Sequence, residues 1–185
     1  PIEGLRELTD AEGSHIRSIY GFMDNIPYYE ANAEGKKVVV IGCGAVGLDV
    51  MEFFTLRKAE VTMIEMMPSF GKDADIVSKS TFKELLEKHP VDMHLSTALE
   101  KVCPDKFIAS HNGESAEYPF DYGFICMASV PDIPADNPFE TYAKEQGIPF
   151  CNFGNSRKTG QIIHGTELGR DIVATIDMIG GLMIK

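Results

Sequence analysis

The residues whose types and spacing could do chemistry are three glycines and one carboxylate. Gly42, Gly44 and Gly47 form a G-x-G-x-x-G pattern, and Glu65 follows 23 residues after the first glycine. In such a pattern the first glycine allows a sharp turn, the second lets the backbone approach a pyrophosphate, and the third lets a helix pack closely on a strand. A carboxylate about 20 residues further on is the expected acceptor for the hydroxyl pair of a ribose. The pattern therefore predicts a dinucleotide-binding turn.

Two apolar runs and a helix would hold this turn in place. Residues 38–41 are Val-Val-Val-Ile, which favours a strand buried on both faces of a parallel sheet. Residues 61–64 predict a second strand, and the apolar residues between the two runs recur at the spacing of an amphipathic helix. The N-terminus of that helix offers N–H groups and a partial positive charge of about half an electron to an anion. The predicted cofactor contacts of this stretch are Gly42, Cys43, Gly44, Ala45, Val46, Gly47, Glu65 and Met66.

The residues after the second run predict NAD(H) rather than NADP(H). A site for the 2′-phosphate of NADP needs cations beside the adenosine ribose. Glu65 is instead followed by Met66 and Met67, and the next basic residue along the chain is Lys72. A carboxylate facing a phosphate would repel it.

Three other interpretations of this stretch stay open. A tight turn between a strand and a helix needs no ligand. FAD or S-adenosylmethionine could occupy the same crevice, because either can use a glycine turn followed by an acid. The segment could also be a degenerate module that binds no nucleotide and serves for docking.

Bulk properties of the 185-residue chain exclude several classes of protein. The net charge is −11 without a Lys/Arg cluster, so we expect no nucleic-acid partner. No run approaches the roughly 18 apolar residues of a membrane span, so we expect no membrane partner. The four cysteines, Cys43, Cys103, Cys126 and Cys151, lack metal or disulfide spacing and are interpreted as buried thiols of a cytoplasmic protein. No residue is predicted to be catalytic or to bind a metal.

The middle of the chain supplies further elements of a sheet. Residues 91–95 and 124–127 predict two more parallel strands, and a helix starting at Asp73 or Asp75 is expected to run to about residue 88. Asn112-Gly113 is a strong signal for a β-hairpin turn. We therefore predict an α/β fold: a three-layer, Rossmann-like domain with a central parallel sheet and an antiparallel hairpin segment.

Three shorter segments complete the prediction. Ala128, Ser129 and Val130 follow the strand at 124–127, where the far wall of a cofactor crevice would lie. Near the start of the chain, Ile16, Ile19, Tyr20 and Met23 predict a short helix capped by Ser14. Near its end, the apolar run 148–153 predicts a strand that leads through Gly154-Asn155 to a helix over about 161–179.

Taken together, these residues resemble the pyridine nucleotide–disulfide oxidoreductase superfamily of flavoproteins. Residues 1–4 look like the exit from the first half of an FAD domain, and residues 42–65 look like the NAD(P)-binding insert. Residues 120–131 look like the closing strand of that insert, and residues 153–155 with the next helix look like the returning FAD-binding segment. The stretch 154–172 is most similar to the enoate and 2,4-dienoyl-CoA reductases.

The resemblance implies three segments and a role for each. Residues 1–34 would be a lead-in from a preceding FAD-domain half, residues 35–131 an NAD(P)-binding domain, and residues 132–185 a linker with a returning strand and helix. The implied cofactors are NAD(H) here and FAD in a longer parent protein, whose flavin domain would be the partner. The chain would position the nicotinamide for hydride transfer to the flavin, and it would not be a complete enzyme alone.

The sequence also departs from the family pattern at three places. Asp49 stands where the family usually has a glutamate near the nicotinamide amide. Ser129-Val130 stand where an Ala-x-Gly motif normally ends the closing strand, and Asn155 replaces the aspartate of the Gly-Asp pair that contacts FAD. The resemblance thus adds Asp49, Gly154 and Asn155 to the candidate cofactor contacts, and the departures support the docking-module alternative.

Overall fold

The computed structural model describes residues 2–72, 74–127, 137–152, 154–158, 160 and 162–183, the last eight as backbone only. The chain divides into two units, residues 1–127 and residues 128–185. The elements in chain order are α1 (Leu5–Leu8), β1 (Ile16–Ser18), α2 (Ile19–Met23), α3 (Ile26–Asn32), β2 (Lys37–Ile41), α4 (Ala45–Thr55), β3 (Glu60–Ile64), α5 (Ile76–Lys88), β4 (Asp92–His94), β5 (Thr97–Cys103), β6 (Lys106–His111), β7 (Glu114–Pro119), β8 (Tyr122–Ile125), α6 (Pro138–Glu145), a 3-10 turn (Gly154–Ser156) and α7 (Ile162–Met183).

A parallel sheet forms the centre of the first unit. Its five strands run in the order β1-β8-β2-β3-β4, and each neighbouring pair is parallel. Val38 and Val40 of the central strand β2 face one core, while Val39 and Ile41 face a second core on the other side. Because both faces are covered, every position of the strand after Lys37 is apolar and buried. The all-apolar run therefore predicted this strand correctly.

An aromatic cluster fills the core between the sheet and helices α2, α3 and α4. The ring of Phe54 from α4 lies 5.0 Å from that of Phe124 in β8, centroid to centroid. Phe22 and Tyr29 contact the Phe124 ring from α2 and α3, at 5.5 and 5.3 Å. Aromatic side chains bury large apolar areas, so this cluster anchors the helical layer on the sheet.

The other face of the parallel sheet is covered by a three-stranded antiparallel sheet, β5-β6-β7. Its β6–β7 turn contains Asn112 and Gly113, with φ angles of 53° and 87°. Two consecutive residues with positive φ suit the right-handed twist of the flanking strands, as the Asn-Gly signal predicts. Phe107 and Ala109 of β6 are buried against the parallel sheet. The predicted α/β class, three layers and antiparallel segment are confirmed.

The start of the chain differs from its prediction. Ile16 lies in edge strand β1, paired with Gly123 of β8, and not in a helix. The helix begins after Ser18, whose hydroxyl accepts a hydrogen bond from the Gly21 N–H, so Ser18 and not Ser14 is the cap. Pairing with β8 outweighs the helical spacing because it buries β-branched Ile16 completely. This segment also contributes Phe22 to the core, whereas its assignment to a preceding FAD-domain half stays a prediction.

The elements between residues 37 and 125 agree with the sequence, whereas the short helices α1 and α3 were not predicted and the end of the chain also differs. Asp75 caps α5 by accepting from the Val77 and Ser78 N–H groups, as one of the two predicted caps. The strand expected over residues 148–153 is absent from residues 148–152, and Phe153 lies outside the described residues. Helix α6 was not predicted, and α7 runs slightly past its predicted end. The helices within the described ranges include none that combines the length and hydrophobicity needed to cross a bilayer.

The aromatic cluster gives a direct test of the core. We expect Phe54→Ala to lower the free energy of unfolding by about 3–5 kcal/mol, because Phe54 is fully buried and its removal leaves a cavity. Leu56→Ala is the matched control on the same segment, since Leu56 is 54% exposed and should change stability by only about 0.5 kcal/mol. Urea unfolding followed by circular dichroism measures both. Equal losses for the two variants would contradict the described core.

Candidate functional site

The glycine turn lies at the carboxyl end of β2, where the order of strands reverses. The chain leaves β2 through α4 and reaches β3 on one side, continues to β4, and later returns as β8 on the other side of β2. In open α/β sheets this reversal opens a crevice beyond the carboxyl ends of the strands, and ligands bind there. The topology thus puts the predicted turn at the position in the sheet that suits a ligand best.

Two glycines of the turn are required by its geometry. Gly42 has φ +101°, and a side chain there would bring its Cβ within 2.5 Å of the Cys126 carbonyl oxygen. A Cβ on Gly47 would overlap the carbonyl oxygen of Gly42, so Gly47 lets helix α4 pack against the turn. Gly44 has an extended backbone with φ −73°, which does not itself require glycine. Its lack of a side chain instead leaves the start of α4 open to an approaching group.

The carboxylate of Glu65 is tied to the backbone on both of its oxygens. Oε2 accepts a hydrogen bond of 2.7 Å from the Cys43 N–H, and Oε1 accepts one of 2.8 Å from the Met67 N–H. The sequence placed Glu65 at the crevice but gave no signal for these bonds. A carboxylate offers about four acceptor positions, so both oxygens keep capacity for a ligand hydroxyl. Glu65 therefore fixes the shape of the turn and remains able to accept from a ribose.

The loop after β3 also holds the turn. The Gly71 N–H donates to the Cys43 carbonyl oxygen at 2.6 Å, so both peptide groups of Cys43 are bonded to the segment that follows β3. The Gly42 N–H donates to the Ile64 carbonyl oxygen at 2.8 Å, which continues the β2–β3 ladder into the turn. The turn is thus a preformed structure that needs little reorganisation to receive an anion.

Apolar side chains are exposed around the carboxyl ends of the three central strands. Val46 in the first turn of α4 is 40% exposed, Met66 after β3 is 69% exposed, and Met127 after β8 is 37% exposed. Exposed methionines and valines beside polar backbone groups are typical of the walls of a small-molecule site. The combination of apolar walls, an anion-binding turn and one carboxylate fits a nucleotide.

Two of the four thiols are buried, that of Cys43 within the turn and that of Cys126 after β8. Burial raises the pKa of the Cys43 thiol to about 12, with a further contribution from the Glu65 charge, and burial raises that of Cys126 to about 12. Among the described residues all four cysteines are free. Cys43 and Cys126 are buried as predicted and Cys103 is partly buried, whereas Cys151 is exposed, so its prediction was wrong.

The other predicted contacts divide between the two units. Asp49 lies on the exposed side of α4, and partial burial raises the pKa of its carboxyl group. Ala128, Ser129 and Val130 lie outside the described residues. In the second unit, Gly154 has φ +68° and Asn155 accepts a hydrogen bond from the Gly160 N–H at 3.2 Å. Both line a groove of about 870 Å³ beside α7, with Lys158 and His164.

Metal chemistry has no support in the described residues. They contain no group of three or more His, Cys, Asp or Glu side chains that could hold an ion. What the arrangement of the first unit offers to a ligand is the partial positive charge at the start of α4 and one carboxylate acceptor.

Known proteins share this arrangement of elements. Residues 37–107 match the protein family described as pyridine nucleotide-disulphide oxidoreductase. An NADH oxidase from Methanocaldococcus jannaschii is 27% identical over 186 residues, which is 98% of this chain and 39% of that protein. The chain therefore spans about two fifths of the length of this relative.

Two solved structures are also similar. An NAD-dependent persulfide reductase from A. fulgidus is 27% identical, with a TM-score of 0.53 over 82% of this chain and 26% of that chain. A histamine dehydrogenase from Rhizobium sp. 4-9 is 15% identical, with a TM-score of 0.66 over 90% of this chain and 26% of that chain. The second likeness shows the shared fold alone.

The packing at Gly47 gives a prediction about the turn. We expect Gly47→Ala to destabilise the protein by about 1–3 kcal/mol, because the added methyl group must displace the Gly42 carbonyl or the helix. Val46→Ala is the neighbouring control, since Val46 is exposed and its change should stay within about 0.5 kcal/mol. Thermal unfolding followed by circular dichroism measures both. An unchanged Gly47→Ala variant would mean that α4 does not contact the turn as described.

The thiols give a second prediction. At pH 8, a pKa of about 12 leaves Cys43 and Cys126 with a thiolate fraction of about one in 10,000. We expect iodoacetamide to label exposed Cys151 in minutes and the two buried thiols only after unfolding in urea. Peptide mapping by mass spectrometry reads each site separately, and Cys151→Ser should remove the fast label. Labelling of Cys43 as fast as Cys151 in the folded protein would contradict its burial.

Proposed function

Because this chain is a member of the pyridine nucleotide–disulfide oxidoreductase superfamily, we propose that its first unit binds NAD(H) and orients the nicotinamide toward a flavin. The flavin would be held by a longer protein of which the chain forms one part. The observation that carries the proposal is the glycine turn at the strand reversal, tied through Cys43 to the Glu65 carboxylate. The glycine turn, the carboxylate of Glu65 and the strand order each support a dinucleotide as the ligand.

The residues present fit an NAD(H) molecule. Gly42 lets the turn pack against Cys126 and Gly47 lets α4 pack against the turn, and the start of α4 supplies partial positive charge for a diphosphate. Glu65 has acceptor capacity left for the hydroxyls of the adenosine ribose, with Met66 beside it for the adenine side. By resemblance, Asp49 would lie toward the nicotinamide end. When bound, NADH supplies a hydride from its nicotinamide C4, and this chain supplies position and electrostatics.

The electrostatics of the site favour NAD(H) over NADP(H). Glu65 carries a negative charge at the position of the adenosine ribose, and the residues next to it, Met66 and Met67, carry none. Its two backbone hydrogen bonds hold the carboxylate in that position. A 2′-phosphate would meet this charge in a site fixed against rearrangement.

The second unit supports a further part of the proposal. Its alignment with the M. jannaschii NADH oxidase extends over nearly the whole chain, including the groove lined by Gly154 and Asn155. We propose that this groove contributes to a flavin site in the longer protein, with FAD as the flavin. The free thiols of the described residues favour a reducing compartment, and the cytoplasm is the proposed location.

One alternative function has a specific observation in its favour. The Glu65 oxygens are both bonded within the chain, and the turn is complete without a ligand. A docking or structural module that has lost nucleotide binding would keep the same bonds for stability alone. Affinity for NADH separates the two functions.

Isothermal titration calorimetry with NADH and NADPH tests the proposal. We expect NADH to bind at least about tenfold more tightly than NADPH, which is about 1.4 kcal/mol. Glu65→Gln should weaken NADH binding about tenfold, because the amide nitrogen cannot accept from a backbone N–H or from a ribose hydroxyl.

A control variant lies on the same strand. Glu60→Gln removes the same charge from an exposed side chain at the opposite end of β3 and should leave both affinities unchanged. No heat from the folded protein at millimolar NADH would leave the docking module as the function. Equal affinity for NADPH would overturn the assignment of Glu65.

A further inference from the structure

A cationic side chain that forms no ion pair among the described residues lies in edge strand β1, which β8 separates from strand β2 and its glycine turn. Arg17 is in edge strand β1, where it pairs with Phe124 and shares the face of the sheet that carries the aromatic cluster. Its Nη1 donates to the carbonyl oxygens of Ile16 at 3.0 Å and Ala11 at 3.4 Å. Within the described ranges, Arg17 forms no ion pair with a carboxylate. Carbonyl oxygens satisfy its donors without neutralising its charge.

Three tyrosines stand beside this guanidinium. The Tyr28 and Tyr122 hydroxyls are 3.4 Å apart, and the ring of Tyr29 packs against that of Tyr122 at 5.2 Å. Burial raises the pKa of Tyr29, and the positive charge of Arg17 opposes that rise, so the guanidinium is within electrostatic reach of the Tyr29 hydroxyl. Burial also raises the pKa of Tyr122. A raised pKa leaves the Tyr29 and Tyr122 hydroxyls protonated.

These side chains enclose a groove of about 370 Å³. Its walls are the tyrosine rings and Arg17, and its rim includes Ser14, His15 and Asn25. The volume lies at the lower end of the range for small-molecule sites. An organic molecule with a small planar body would fit against the rings, with its polar end toward the arginine.

The carboxylates nearest this groove already have donors of their own. Asp10 accepts from the Ser18 N–H at 3.0 Å, although its charge also acts on Tyr29. Asp121 accepts from the Lys37 N–H at 2.8 Å and lies 3.5 Å from the Lys36 ammonium group. Neither lies within ion-pair distance of Arg17, but Asp10 is its neighbour, because a Cβ added to Gly21 would contact both Asp10 Oδ1 and Arg17 Cδ. No carboxylate of the described residues is bonded to the Arg17 guanidinium, and a ligand carboxylate would compete with the nearby charge of Asp10 for it.

We propose that this groove binds a small organic carboxylate with a planar apolar body. Arg17 takes the carboxylate, the one hydroxyl proton that the Tyr28–Tyr122 hydrogen bond leaves over is donated to it, and the tyrosine rings pack on the apolar body. A carboxylate suits the groove better than a phosphate, because the wall holds one guanidinium and ring faces in place of a nest of backbone N–H groups. The site is separate from the dinucleotide turn, because Tyr122 begins β8 whereas the turn lies beyond the carboxyl end of β2.

Benzoate is the probe, and the complete 185-residue chain is the sample. We expect saturable binding of benzoate with a dissociation constant of about 1 mM or below, measured by calorimetry with and without saturating NADH. Benzamide, which has the same shape and no charge, should bind at least tenfold more weakly. Arg17→Gln should weaken benzoate at least tenfold, and Tyr28→Phe several-fold, because each removes a donor.

Arg6→Gln is the matched charge control, since Arg6 is an exposed arginine of α1 outside the groove. Binding that Arg6→Gln weakens as much as Arg17→Gln would overturn the proposal, and so would equal binding of benzamide. Phosphate competing as well as benzoate would mean an unselective anion site and would also overturn it. If Arg17→Gln fails to fold, the half-exposed Tyr28→Phe and the benzamide comparison still decide.

Discussion

The architecture of the first unit depends on one close approach of backbone to backbone. The chain turns at Gly42 within reach of the Cys126 carbonyl, and helix α4 starts so near the turn that Gly47 has no room for a side chain. Sheet strands β2 and β8 meet there through the bond from the Cys126 N–H to the Ile41 carbonyl oxygen at 2.8 Å. Because a methyl group at either glycine would force these elements apart, the strand spacing, the helix position and the crevice are set together.

Glu65 extends this constraint from sterics to electrostatics. A partly buried carboxylate needs donors, and the chain supplies two backbone N–H groups, from Cys43 and Met67. The same negative charge contributes to the raised pKa of the Cys43 thiol, so one side chain both stabilises the turn and keeps the thiol protonated. We expect most substitutions of Glu65 to disturb the turn, because its carboxylate accepts both backbone hydrogen bonds. This holds whether Glu65 also binds a ligand or has a structural role alone. Acceptor capacity remains on the carboxylate in both cases, so affinity for NADH distinguishes the two roles.

The sequence predicted features that rest on local chemistry. The all-apolar run of β2 follows from burial on both faces, the Asn112-Gly113 turn from two positive φ angles, and the α5 cap from the Asp75 side chain. Features that rest on distant partners were missed. Strand β1 has only three residues. The alternation of apolar and polar residues that marks a strand cannot be recognised over so short a segment, and the strand is defined only by its pairing with β8.

The two hydrogen bonds of Glu65 differ in range: the bond from Cys43 spans 22 positions, and the bond from Met67 spans two. No sequence motif predicts either contact. Residues 148–152 include residues that favour strands, but they are not in a strand. Strand formation depends more on pairing with a neighbouring strand than on the intrinsic preference of the residues. The same distinction applies to the candidate site. Its glycines and acid were visible as a pattern, whereas their connection through the Cys43 peptide group required the fold.

Two places on the parallel sheet differ in how they present positive charge. At the carboxyl end of β2 the charge is partial and belongs to the backbone at the start of α4, which suits a diphosphate. In edge strand β1 it is a full charge on Arg17, which lines a groove together with tyrosine rings. The chain has a net charge of −11, so these two positive places are exceptions on a negative molecule. The overall charge repels anions, so long-range attraction would bring an anion to neither place. Anion binding at either place must therefore come from groups held at short range, the start of α4 and the Arg17 guanidinium, and these matter more than the charge of the whole molecule.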